Sequence, residues 1–197
     1  MVPSTEECFE FMKKYEMLDN IKAHSIMVER VAHLIAGGLR EAGEDISLEL
    51  TAAGALMHDI AKTPCLDTEA DHAAVGRMIC LENHLDEIAD IVGEHIRLKR
   101  YEPDEVVSEK EIVYYADKRV NHDVVVSLQE RLRYLLLRYG RGREHIIPLI
   151  RKNFDLSKEV EKKLFAKLLF GPEELARRIN GGDGNRVMPI RKSMISG

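Results

Sequence analysis

The run Ala55-Leu56-Met57-His58-Asp59-Ile60-Ala61-Lys62 ends an apolar stretch with an imidazole, a carboxylate and an ammonium group. Imidazole and carboxylate both ligate divalent metals, and a lysine one turn further on could hold an anion drawn to such a metal. The dipeptide alone decides nothing, because His122-Asp123 repeats it. What separates the two is the backbone presenting them. His58-Asp59 follows Leu50, Ala52, Ala53, Ala55, Leu56 and Met57, a buried helix of the kind that can hold ligands rigidly. His122-Asp123 lies between Lys118-Arg119 and a new apolar run, where a helix junction is expected and Asp123 suits a cap.

Two ligands do not make a hydrolytic metal centre, which takes three or more and leaves positions open for water and substrate. Other candidates must therefore point inward from other helices. His24 is continuous with the stripe Met27, Val28, Val31 and Ile35. Asp117 ends the run Ile112-Val113-Tyr114-Tyr115-Ala116, where burial without a cation is costly. His95 shares a face with Ile88, Ile91 and Val92, and His72 leads into Ala73-Ala74-Val75-Gly76. Each taken singly also fits a hydrogen-bonded core residue. His33, His84 and His145 fit no such pattern and read as surface or capping groups.

The elements that position these residues read at helical period almost throughout, so the fold class is all-α. Ser4 with Glu7 forms a capping box for a first helix through about Lys14. A second helix starts near Asn20 and frays at Gly37-Gly38 or stops by Gly43. Ser47 caps a third that runs through Asp59 until Pro64 ends it. Further helices are expected over 69–82, 85–98 and 108–121, the last opened by Ser108 and Glu111. Residues 124–139 are apolar on a broad face, read as core, with a homodimer interface as the alternative. Helices near Ser157 and at Pro172 follow, and 181–197 reads as a flexible or peripherally docked tail.

The chain has 197 residues and a net charge of −5, which suits one soluble domain and gives no broad basic field for nucleic acid. The expected organisation is a single helical domain over 1–180. Cys8, Cys65 and Cys80 are odd in number and show no paired spacing, which points to reduced thiols and the cytoplasm. No run of about 18 apolar residues is present, so no membrane partner is expected.

In order and rough spacing, His24, His58-Asp59 and Asp117 in Ala116-Asp117-Lys118 resemble the pattern of the HD-domain metal-dependent phosphohydrolase superfamily. The resemblance covers about residues 20–121, with 122–180 as a helical extension to that bundle. His72 and His95 fall where the dinuclear branch carries its extra ligands. The resemblance implies one metal held by His24, His58, Asp59 and Asp117, and a second by His72 and His95, with Asp59 bridging. A carboxylate can bridge ions about 3.5 to 4 Å apart. Mixed imidazole and carboxylate ligation suits iron or manganese.

The implied activity is hydrolysis of a phosphomonoester or phosphoanhydride of a small phosphorylated substrate such as a nucleotide, by metal-activated water. Asp59 and Lys62 are the catalytic candidates, and Asp59 or a pocket histidine could act as base. Lys62, Arg97, Arg100 and Lys118 are candidate substrate binders, with solvated charges at loop and helix ends as the alternative. Two other readings stand beside hydrolysis. A dinuclear iron oxygenase would use the same six ligands, and a non-catalytic module would bind a nucleotide signal in the same pocket.

Overall fold

Serine side chains begin four of the helices. Ser4, Ser47, Ser108 and Ser127 each accept a backbone N–H from the first turn that follows. Glu7, Glu111 and Glu130 complete reciprocal capping boxes at three of these starts. The computed structural model describes residues 1–181, and within them the order is α1 (Thr5–Lys14), α2 (Asp19–Glu41), α3 (Leu48–Met57), α4 (His72–Glu82), α5 (Asp86–Glu94) and α6 (Glu109–Lys118). A short antiparallel hairpin follows, β1 (Val120–Asn121) and β2 (Val124–Val125). The chain closes with α7 (Leu128–Tyr139), α8 (Ile147–Phe165) and α9 (Leu175–Gly181). The fold is all-α apart from that hairpin. The expected tail lies outside the described residues from 182 onward.

Several boundaries differ from the sequence reading for local reasons. The second helix runs through Gly37-Gly38 and stops before Gly43, whose φ of +94° suits a residue without a Cβ. The junction at His122-Asp123 is a tight turn between strands, with His122 at φ +55°, and Ser127 rather than Asp123 caps the next helix. The helix expected near Ser157 begins ten residues earlier, at Ile147 with Pro148 in its first turn. Ser157 is buried inside it, its hydroxyl donating to the Asn153 carbonyl at 2.9 Å.

Two apolar clusters carry the packing. One joins Val28, Val31, Ile35 and Leu39 of α2 to Ile112, Val113 and Tyr115 of α6 and to Phe154, Val160 and Leu164 of α8. The other joins Cys8 and Met12 of α1 to Leu56 and Met57 of α3 and to Ile79, Ile88 and Val92 of α4 and α5. Burying each large side chain contributes roughly 1.5 to 3 kcal/mol. In α7 only Leu128 is buried, while Leu132 and Leu135 pack partly on the first cluster and Leu137 is exposed. The broad apolar face of 124–139 is therefore core along one edge only.

Where α3 passes α5 the backbones come close. A Cβ at Gly54 would lie 2.6 Å from Ile91 Cγ2, so glycine sets how near the two helices approach. Both helices end on a histidine of the candidate site. No helix among the described residues is long and apolar enough to cross a membrane. Cys8, Cys65 and Cys80 are free thiols, and burial pushes Cys8 and Cys80 up to about 12.

Candidate metal centre

His58 caps the C-terminus of α3 and His95 that of α5, and the two are built alike. In each, the ring Nδ1 meets the carbonyl three residues back, Ala55 at 2.7 Å and Val92 at 2.6 Å. A carbonyl can only accept, so a proton sits on Nδ1, and in the neutral ring the Nε2 lone pair is left free. His24, from the first turns of α2, does the same across the fold, donating from Nδ1 to the His122 carbonyl at 2.7 Å. The hairpin turn at His122 thus orients a residue almost a hundred positions away.

These Nε2 atoms surround Asp59, which is 1 % exposed. Asp59 Oδ2 lies 3.4 Å from His58 Nε2 and 4.0 Å from His24 Nε2. Its Oδ1 lies 3.2 Å from His72 Nε2 and 3.5 Å from His95 Nε2. Asp117, from the last turn of α6, places Oδ1 3.0 Å from His24 Nε2 and 3.9 Å from His58 Nε2. All six sequence candidates therefore converge. Two groups are tight enough to hold an ion, His24-His58-Asp59 and Asp59-His72-His95, and they share Asp59.

The polar accounting fits a bound cation. His58 Nε2 and Asp59 Oδ1 are buried without a hydrogen-bond partner, which costs stability unless something positive or protic lies between them. His24 Nε2, with its ring proton already committed on Nδ1, faces a carboxylate oxygen. Two lone pairs in apposition call for a proton or a metal ion.

The electrostatics agree. Burial alone would raise both carboxyls, yet His58 and Lys62 hold Asp59 well below the usual range, and Lys118 and His24 do the same for Asp117. Burial disfavours a charged His58, but the Asp59 carboxylate outweighs it and raises the group. His95 goes the other way, pushed down to about 4 by burial against the pull of Asp59. It is therefore neutral near pH 7, as a ligand must be.

The proposed anion binders separate in space. Lys62 donates to Asp59 Oδ2 at 2.7 Å and lines a cavity of about 210 Å³ that opens on Asp59 and His24. Lys118 is buried instead of facing a mouth. Its Nζ bonds the His95 carbonyl and Asp117 Oδ2 (3.0 Å) and sits 4.3 Å from the Tyr114 ring centroid. It clamps two ligand-bearing segments together. Arg97 and Arg100 are exposed and absent from the cavity wall, and Arg100 pairs with Glu105 and Glu102.

The cations that do line the cavity with Lys62 are Arg131 and Arg138 of α7, which the sequence reading missed. Their signal was present. Arg131, Tyr134, Leu135 and Arg138 recur at helical spacing, so polar and aromatic groups share a face with one of the leucines.

Comparison with known proteins comes to three findings. The HD domain family model matches residues 21–121, which include all six clustered residues. A tRNA (cytidine(56)-2'-O)-methyltransferase from Picrophilus torridus is 28% identical over 144 residues. That alignment covers 66% of this chain, and the chain spans only 40% of the relative. No solved structure matches.

Proposed function

Because this chain belongs to the HD-domain family, we propose that it is a metal-dependent phosphohydrolase acting on a phosphomonoester or phosphoanhydride of a nucleotide-like substrate. The observation that carries the reading is the division of Asp59 between two histidine pairs, beside a cavity walled by Lys62, Arg131 and Arg138. His24, His58 and Asp117 would hold one ion and His72 and His95 the other, with one Asp59 oxygen toward each. The donor set favours iron or manganese. Such a pair, when bound, supplies activated water and positive charge for the phosphoryl oxygens.

The chain's own groups complete the site. Lys62 keeps Asp59 ionised and presents an ammonium to the cavity, where it neutralises charge on a phosphoryl oxygen as the ester bond breaks. Lys118 fixes Asp117 and the backbone of His95, so that ligands from α5 and α6 keep their spacing.

An oxygenase built on the same residues would consume oxygen, which hydrolysis does not. We also assign no methyl transfer here, since the aligned portion is less than half of the methyltransferase relative. The test is phosphate release from a panel of nucleoside mono-, di- and triphosphates by manganese- or iron-loaded protein under strict anaerobiosis. Release without oxygen is expected. Turnover that depends on oxygen, or no release by metal-loaded protein, overturns the reading.

A further inference from the structure

Arg131 is an unusual arginine. Its side chain is 11% exposed, and its Nη1 donates to Asn121 Oδ1 at 2.9 Å. Its Nη2 lies 3.9 Å from Asp117 Oδ1, and its Nε is buried with no hydrogen-bond partner. Arg131 also lines the cavity, and a guanidinium there, at the edge of the candidate ligand cluster, suits an anion arriving from it.

Arg138 follows seven residues later, roughly 10 Å along the helix axis, on the same face and the same cavity wall. Its Cζ lies 6.0 Å from the Tyr139 ring centroid, and it has no acidic partner among the described residues. Between the two lie Tyr134 and Leu135, which give the wall an aromatic and apolar middle. All of this comes from α7, beyond the segment that the family model matches.

We propose that α7 selects the substrate: Arg131 takes the phosphoryl anion presented to the metal cluster, and Arg138 takes a second anionic group on the same molecule. The preferred class is then a bis-anionic organophosphate with a ring between its charges, rather than a simple phosphomonoester. This rests on the hydrolytic reading for the fate of the first phosphoryl group, and the contrast between the two arginines is measurable without turnover.

The experiment titrates the protein as purified, by calorimetry, with adenosine 3',5'-bisphosphate and with adenosine 5'-monophosphate, while phosphate release is followed separately. The bisphosphate is expected to bind roughly tenfold more tightly, as a charged hydrogen bond allows. Arg138→Ala should remove that advantage, the bisphosphate losing about tenfold more affinity than the monophosphate. Arg131→Ala should weaken both nucleotides, with Arg131→Lys partly restoring them and a thermal melt verifying the fold of each variant. Equal binding of the two nucleotides, no binding of either, or an Arg138→Ala loss shared by both overturns the proposal. Binding as expected with no phosphate released counts against hydrolysis alone.

Discussion

Two groups of largely buried polar side chains sit side by side at the end of α6, and they are satisfied in opposite ways. Tyr115 and Arg119 form the first. Arg119 donates from Nε to the Val126 carbonyl (2.7 Å), from Nη2 to the Pro172 carbonyl (2.8 Å), and from Nη1 to Tyr115 and Glu161. Every guanidinium nitrogen is used, and the network ties the end of α6 to the segment after β2, to α8 and to the segment before α9. Asp117 belongs to the second, with His24, His58, Asp59, His72 and His95. There His58 Nε2 and Asp59 Oδ1 are left without partners although buried. A closed network holds a fold together, whereas an open one holds a place for a ligand.

The largest effect should come from the open cluster. Asp59→Asn removes the shared carboxylate and should cut hydrolysis roughly a thousandfold or more while leaving the helical content unchanged. Hydrolysis rates and circular dichroism on one preparation check both halves. An Asp59→Asn protein that still turns over at the parent rate would dissolve the contrast.

The closed cluster should answer in the other currency. Arg119→Met leaves two carbonyls without their donor and Glu161 with only the Tyr115 hydroxyl, and should lower stability by about 3 to 5 kcal/mol in denaturant titration. Metal content per folded chain should not change. A stable Arg119→Met variant that lost its metal would show that the two networks are one.

Lys118 lies between the two and sharpens the boundary. Lys118→Met keeps much of the side-chain volume but frees Asp117 and the His95 carbonyl. Metal affinity should fall about 10- to 100-fold, measured by competition with a chelator. No change in affinity would return Lys118 to a purely structural role.

The smallest effect comes from a buried acid outside both clusters. Glu29 faces His33 at 3.7 Å, and burial pushes it up to about 7, opposite in direction to Asp59 and Asp117 among their cations. The folded chain therefore binds this proton more tightly than the unfolded chain, whose carboxyl titrates near 4.5. The contribution is complete below that pH, declines as pH rises toward 7, and then stays constant. Glu29→Gln should gain about 2 kcal/mol near pH 8 and almost nothing near pH 4.5, read from melts at the two pH values. An equal gain at both would mean that Glu29 is not the titrating group.

Much of this was legible in the sequence because it rested on local rules. Ser4, Ser47 and Ser108 marked helix starts through their own hydrogen bonds. His24, His58, Asp59, His72, His95 and Asp117 each stood on an apolar face, and a folded core brings such faces together. What was not legible depended on direction or on distant partners. Lys118 could have turned to solvent, and it is the His95 carbonyl, the Tyr114 ring and Asp117 Oδ2 that draw it inward. Arg100 reads as a free loop cation until Glu105 folds beside it. Ser157 carries the signature of a cap, yet the Tyr114 hydroxyl at 2.9 Å gives it a partner in mid-helix. Arg131 and Arg138 share α7 with leucines whose spacing is that of a core face, and this masks the cavity-facing spacing of the two arginines.

The central claim is that Asp59 joins two ion sites, and metal stoichiometry tests it most directly. Elemental analysis of protein purified anaerobically without chelators should find close to two iron or manganese ions per chain. Asp59→Asn should lose both, and His72→Ala only one. A single ion per chain that survives Asp59→Asn would contradict the account.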